Sequence, residues 1–371
     1  MSEANAPTVI DGAGQVREGE GLDVDAIARW LEAHAPDVAP AGSRVALAQF
    51  PKGHSNLTYL LTLTPPEGAA REVVLRRGPF GSKVRSAHDM GREHRLLSGL
   101  HPLYPKAPRP IAACDDAAVL GAPFYVMERI VGVIPRRAFP KGVVVDHAAL
   151  ASAFVDELVA LHAIDATRPG LAELGIYKGP GFAARQVAGW GGRWEAARTE
   201  PVPDLDHVLA ELVRRTPPDA GAVVVHNDFK YDNLVLDPAD PTRIIGVLDW
   251  EMATVGCPLM DLGTSLGYWV EAVDPPFFRM FAFGPTDAPG AWDRARIVDE
   301  YARRSGRAVA DPVFYFAFGL FKIAVVAQQI YKRFVEGHTS DKRFASFGQA
   351  VSALAALAKK ALDVGRVSGL G

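Results

Sequence analysis

The chain has 371 residues, 49% of them hydrophobic, and 40 Lys and Arg against 43 Asp and Glu give a formal net charge of −3. That length can bury a substantial core and exceeds the size at which a single core usually stops growing. The charge balance provides no broad basic field for nucleic acid or an anionic membrane, and the two cysteines, Cys114 and Cys257, match no metal spacing.

Residues 1–21 are polar, Gly-rich and acidic, which predicts a flexible tail, no signal peptide and a cytoplasmic protein. The stretch Phe50-Pro-Lys-Gly53-His-Ser55-Asn56 forms a turn leading into an alternating run that ends at Leu61. Glu72-Val73-Val74-Leu75-Arg76-Arg77 alternates again, and period two puts Val74 and Arg76 on one face, Val73, Leu75 and Arg77 on the other. A helix carrying Glu93 is expected over 87–100, then a strand over 124–130 closed by Gly132. Apolar residues at helical spacing over 154–162 predict a core helix on which His162 is a packed or surface side chain. No internal repeat is present. The apolar stretch around 314–330 carries Gly319, Lys322, Gln328 and Gln329, and reads as a buried helix and not a membrane span.

The centre of the chain carries the chemistry. Residues 226–233 read His226-Asn227-Asp228-Phe229-Lys230-Tyr231-Asp232-Asn233, and Asp249 of Leu248-Asp249-Trp250-Glu251 lies sixteen residues past Asn233. A turn rich in Asp and Asn would account for turn formers here, but not for His, Asp, Lys and Asn at these offsets between strands. The β-branched run 222–225 predicts a strand delivering the loop; 234–236, a turn at 237–241 and 244–248 predict a two-stranded ribbon. Such a ribbon brings Asn233 and Asp249 to one end. Phosphoryl transfer needs a carboxylate for the attacking hydroxyl and oxygen ligands for Mg²⁺. The protein-kinase pattern sets an Asp, an Asn five residues on and a second Asp at the same relative spacing. Asp228 is then the base, and Asn233 and Asp249 the metal ligands.

This central segment resembles the aminoglycoside phosphotransferase-like kinases, which share the protein-kinase fold and include choline kinase-like enzymes. In that family the catalytic loop reads roughly H-G-D-x-x-x-x-N, and the metal Asp sits in an I-D-W or L-D-W-E segment. His226 to Asn233, Leu248 to Glu251 and Gly256-Cys-Pro-Leu-Met-Asp-Leu262 are most similar to the phosphotransferase domains fused to, or encoded near, acyl-CoA dehydrogenases. The resemblance spans about residues 25–335, with high specificity only in the centre. Asn227 departs from the usual Gly and is expected to alter the loop conformation slightly.

The resemblance implies an α+β, two-lobed protein-kinase-like fold with a small antiparallel β-sheet N-lobe over 22–130 and a larger, mainly helical C-lobe over 131–371. It implies ATP and Mg²⁺ as cofactors, with Asp228 and Lys230 catalytic and Asn233 and Asp249 on the metal. Gly53, Ser55 and Asn56 would cover the phosphates. Arg76 would stand where kinases carry the phosphate-pairing Lys, oriented by Glu93, and a guanidinium there contacts phosphate as a planar fork. Backbone groups of Met127, Glu128 and Ile130 would meet the adenine, and Asp261, expected to cap a helix over 262–272, would brace the loop from below. Further helices are expected over 291–304, 312–335 and 342–362. Tyr268, Trp269, Tyr315, Phe318, Lys322 and Gln329 are candidates for the acceptor pocket. Trp190-Gly-Gly-Arg193-Trp194 reads either as a patch for an anionic acceptor or as a packing cluster.

The expected activity is phosphorylation of a hydroxyl on a small molecule, first a hydroxylated acyl or acyl-CoA compound, with a functional link to an acyl-CoA dehydrogenase. An amino-alcohol, sugar or antibiotic kinase is the second reading, and a nucleotide-binding pseudokinase that serves as a partner module the third. Intact Asp228, Asn233 and Asp249 weigh against the last. No activation loop ending in A-P-E follows Glu251, which weighs against a protein substrate.

Overall fold

The computed structural model describes residues 12–50, 56–78, 89–140, 142–339 and 341–371. Helix α1 (Val24–His34) opens on Asp23, whose carboxylate accepts the Ala26 N–H at 2.9 Å and so satisfies one of the open donors of the first turn. Strands β1 (Arg44–Gln49), β2 (Leu57–Thr64) and β3 (Arg71–Arg77) follow. Helix α2 (Met90–Leu100), β4 (Pro110–Cys114), the short helix α3 (Ala117–Leu120) and β5 (Phe124–Glu128) complete the smaller lobe. The sheet is antiparallel throughout, in the order β1-β2-β3-β5-β4. The period-two reading of β3 holds: Val73 and Leu75 join the core beneath α1, while Val74 faces α2 and the larger lobe.

Residues 12–21 differ from the expected flexible tail. Gly14 exchanges two main-chain bonds with Gln49 at 2.8 and 3.0 Å, and the Tyr59 hydroxyl donates to the Glu20 carbonyl at 2.8 Å. Strand β1 is a sheet edge with open N–H and C=O groups, and any backbone can satisfy them whatever its side chains. Helix α2 starts at Met90 because Asp89 caps it, accepting the Arg92 N–H at 2.7 Å; the expected start at 87 lies outside the described residues.

Beyond β5 the chain crosses to the larger lobe. Val133 pairs with Leu236 through two main-chain bonds of 2.9 and 2.7 Å. Gly132 allows that approach, since a Cβ there would stand 2.4 Å from the Leu236 carbonyl oxygen. Helices α4 (His147–His162), α5 (Phe182–Ala197) and α6 (Pro203–Arg215) precede four short strands: β6 (Val223–Val225), β7 (Leu234–Leu236), β8 (Ile244–Val247) and β9 (Thr254–Gly256). β6 pairs with β9 and β7 with β8, both antiparallel. Then come α7 (Pro258–Tyr268), α8 (Pro276–Arg279), α9 (Arg294–Ser305), α10 (Pro312–Val335) and α11 (Phe347–Val364). Helix α7 begins earlier than expected because Pro258 is suited to a first helical turn.

Helices α7 and α10 cross at backbone contact. A Cβ on Gly263 would meet the Tyr315 carbonyl at 2.2 Å, and one on Gly319 would meet that of Gly263 at 2.0 Å. Helix α10 is long and apolar enough to cross a bilayer, but 83% of its most apolar stretch is buried inside this protein. The whole is an α+β fold of two lobes, one a small antiparallel sheet and the other mainly helical.

Candidate active site

The loop after β6 is held from below by charge-assisted bonds. The Asp261 carboxylate accepts the main-chain N–H groups of His226 and Asn227, both at 2.7 Å, and faces His162 Nε2 at 3.2 Å. Burial opposes the Asp261 charge, yet the bond from His162 and the neighbouring histidines hold its carboxyl below the usual value. Asp261 lies within the first turn of α7 and does not cap it; Cys257 occupies that position. His162 is fully buried, its other ring nitrogen 2.7 Å from the Tyr301 hydroxyl, so it belongs to the brace and not to the surface.

Asn227 has φ 64°, the left-handed region that Gly enters freely and Asn more readily than most residues. The loop therefore keeps the shape a Gly would give, contrary to the expected alteration. The Asn227 side chain adds a bond to the Met252 carbonyl at 3.0 Å, and its carbonyl accepts Lys322 Nζ at 2.5 Å. Asp249, in L-D-W-E, is the other non-glycine residue with positive φ among the described residues, at 68°.

Three donors converge on Asp228. Its Oδ1 accepts the Tyr268 hydroxyl at 2.7 Å, and its Oδ2 accepts Asn233 Nδ2 at 2.9 Å and the Lys230 ammonium. Burial pushes the Asp228 carboxyl up, but the Lys230 charge and the bonds from Lys230 and Tyr268 outweigh it, so the group is held below its ordinary value as an anion. Lys230 lies over the rings of Tyr268 and Phe283, at 4.8 and 5.5 Å.

Asn233 directs Nδ2 at the main-chain and side-chain oxygens of Asp228, both at 2.9 Å, which sets the amide orientation. Its Oδ1 is left without a donor among the described residues. The Leu248 N–H donates to the Asn233 carbonyl at 2.8 Å, so the β7–β8 ribbon sets Asn233 beside Asp249. Asp249 gives one carboxylate oxygen to Arg76 Nη2 at 3.0 Å, leaving the other open, and its side chain is 35% exposed. Two hard oxygens are thus free at one end of the ribbon, a donor set that fits Mg²⁺.

Arg76 is buried and bridges three carboxylates: Glu93 at 3.0 Å, Asp249 at 3.0 Å and Glu251 at 3.2 Å. Burial disfavours its charge, but these carboxylates keep the guanidinium protonated well above the usual range. Asn56 donates to the same Glu251 oxygen at 2.7 Å. Gly53 and Ser55 lie outside the described residues.

These groups border a cleft of about 480 Å³ between the lobes, lined by Asn56, Arg76, Met127, Glu128, Ile130, Lys230, Asn233 and Asp249 among others. Asp228 itself stands just behind Lys230 and Asn233. Glu128 spends its main-chain N–H on the Arg109 carbonyl at 2.9 Å and its side chain on the Arg109 N–H at 2.9 Å. Ile130 makes no hydrogen bond to another described residue, so its N–H and C=O are open in the cleft wall.

The acceptor-side expectations change. Trp269, Tyr315, Phe318 and Lys322 are buried core residues, and Gln329 is exposed on α10. Of the six candidates, Tyr268 alone touches Asp228. Trp190 and Trp194 lie in the C-terminal half of α5, Trp194 in its last turn, and are buried, with Arg193 stacked 4.6 Å over Trp190, which makes them a packing cluster. Glu251, two residues past the metal candidate in L-D-W-E, and Asp232, within the loop, were not singled out by sequence reasoning. Asp232 lines the cleft, and burial raises its carboxyl to about 6.

With this geometry in view, the chain belongs to the phosphotransferase enzyme family, whose model matches residues 46–298. A Ralstonia eutropha crystal structure, described provisionally as an aminoglycoside phosphotransferase, superposes with a TM-score of 0.74 at 28% identity, covering 93% of this chain and all of that one. The GDP and kanamycin complex of APH(2″)-IIIa shares the fold, with a TM-score of 0.58 at 13% identity over 89% of this chain and 98% of that one. Acyl-CoA dehydrogenase family member 11 of Gallus gallus is 30% identical over 356 residues, 94% of this chain and 44% of the relative. The chain therefore spans less than half the length of that relative. The architecture is kinase-like.

Proposed function

We propose that this phosphotransferase is an ATP- and Mg²⁺-dependent kinase acting on a hydroxyl of a small molecule, first a hydroxylated acyl or acyl-CoA compound. The observation that carries the reading is the convergence of Lys230, Tyr268 and Asn233 on an ionised Asp228, beside two free oxygen donors on Asn233 and Asp249. Asp228 accepts the hydrogen bond of the incoming hydroxyl and takes its proton as that oxygen bonds to the γ-phosphorus of ATP, while the bond from that phosphorus to the bridging oxygen breaks and ADP leaves with the electron pair. A carboxylate with a depressed pKa is a weak base, which suits a loose transition state where orientation and charge dominate.

Asn233 and Asp249 would hold Mg²⁺, which when bound neutralises phosphate charge. Arg76, Arg136 and Arg137 line the same cleft and bring positive charge to where the phosphates would lie. The open main-chain groups of Ile130 would receive the edge of the base.

Two features support an acyl-type acceptor. Ala282 and Phe283, the latter set edge-on to Tyr268 at 5.1 Å, give the cleft beside Lys230 an apolar portion, and Phe277 and Met280 are exposed a few residues earlier in the chain. Relatives of this chain also bear acyl-CoA dehydrogenase names, which suggests a functional link to such an enzyme. An amino-alcohol, sugar or antibiotic is the second acceptor class, since a structural neighbour holds kanamycin.

The test is a mass-shift assay with Mg·ATP across hydroxyacyl, amino-alcohol, sugar and aminoglycoside acceptors. Product with the wild type and none with Asp228→Asn supports the reading. ATP binding with no acceptor modified in any class favours a nucleotide-binding partner module.

A further inference from the structure

A second cavity, of about 340 Å³, opens between α2, the segment 174–186 and β9. It is distinct from the interlobe cleft and shares no lining residue with it. Four cations line it, Arg92, Arg95, Lys178 and Arg185, against a single carboxylate, Asp89. None of the four forms an ion pair with any described residue. Asp89 is already engaged as the cap of α2, accepting the Arg92 N–H at 2.7 Å.

The donor inventory is large. Arg92 spends two guanidinium N–H groups on the carbonyls of Glu251 and Ala253, at 3.1 and 2.5 Å. Arg185 spends two on the carbonyls of Pro180 and Gly179, and Lys178 one on Gly175 at 3.1 Å. The Arg95 guanidinium makes no hydrogen bond to a described residue. A guanidinium has five N–H donors and an ammonium three, so most remain open. Four like charges around one concavity repel one another, and a multiply charged anion relieves that repulsion while using the idle donors.

We infer that this cavity binds a ligand bearing two or more phosphate groups, and that it is a site separate from the cleft of the proposed kinase reaction. Its volume admits more than one phosphate, and its arginines suit bidentate contact with phosphate oxygens. Through Arg92 the site touches the backbone of Glu251, whose carboxylate holds Arg76.

Calorimetric titration of the full chain with inorganic pyrophosphate, at constant ionic strength, tests the inference without relying on catalysis. Three proteins are compared: wild type, the surface double variant Arg95→Gln/Arg185→Gln, and Arg76→Gln in the cleft. The wild type and Arg76→Gln both keep a pyrophosphate site of the same Kd, whatever Arg76→Gln loses in the cleft, while the double variant, melting as the wild type does, binds at that site about tenfold or more weakly. Unchanged affinity in the double variant, loss of binding in Arg76→Gln, or no binding to the wild type at millimolar concentration would each overturn the site.

Discussion

The two sides of the cleft are built on opposite principles. On the larger lobe, the loop bearing Asp228 is tied from beneath by main-chain bonds to Asp261, by Lys322 on the Asn227 carbonyl and by the His162–Tyr301 pair, all buried. On the smaller lobe, Arg76 is held only by charges, spread over Glu93, Asp249 and Glu251. Buried, fully satisfied polar networks specify one conformation. A guanidinium shared among three carboxylates keeps two of its partners when a phosphate takes the place of the third. In the proposed reaction, the carboxylate assigned to the hydroxyl is preorganised, whereas the side chains assigned to nucleotide and metal share their partners.

That contrast can be broken most severely at Asp228. Asp228→Asn lowers kcat by about 10²–10⁴-fold while leaving nucleotide affinity unchanged, because the amide keeps the shape but loses the proton acceptor; steady-state kinetics with binding calorimetry check it. Next comes the brace. Asp261→Asn removes the anion that two buried N–H groups share, and costs about 3 kcal/mol of stability, read by denaturant unfolding. Gly132→Ala forces a Cβ against the Leu236 carbonyl and costs about 1–3 kcal/mol, loosening the crossing between lobes, which limited proteolysis would also register. Arg76→Lys keeps one charge but loses the fork, and raises the KM for nucleotide about tenfold with a smaller effect on kcat.

The smallest effect concerns pH. Burial raises the Asp232 carboxyl to about 6, above its ordinary 3.8. The folded state therefore holds the proton more tightly than the unfolded chain, and this group's contribution to stability falls as pH rises between those values. Asp232→Asn should be more stable relative to wild type at pH 7 than at pH 4, as compared by urea unfolding at both pH values.

Much of this was legible in the sequence, for a physical reason. Spacing along a loop between short strands is a local property, so the offsets among Asp228, Asn233 and Asp249 carried through to one end of the β7–β8 ribbon. The alternation of β3 similarly put Val74 and Arg76 on one face, which the structure turns toward the cleft. Contacts across long separations were less legible. Nothing near His162 announces Asp261, 99 residues on, and Lys322 on an apolar helix looked like a pocket residue until the Asn227 carbonyl appeared beside it. Aromatic residues on α7 and α10 share one composition, and only the glycine crossing at Gly263 and Gly319 decides which of them face the core. Residues 12–21 illustrate the same limit, since edge pairing uses backbone and leaves no side-chain pattern.

The most direct measurement is titration of ATP into the full chain with and without Mg²⁺, in the wild type, Asp228→Asn and Asp249→Asn. Mg²⁺-dependent binding that is retained in Asp228→Asn and lost in Asp249→Asn is the expected result. Nucleotide binding indifferent both to Mg²⁺ and to Asp249→Asn would contradict a metal–nucleotide site in this cleft.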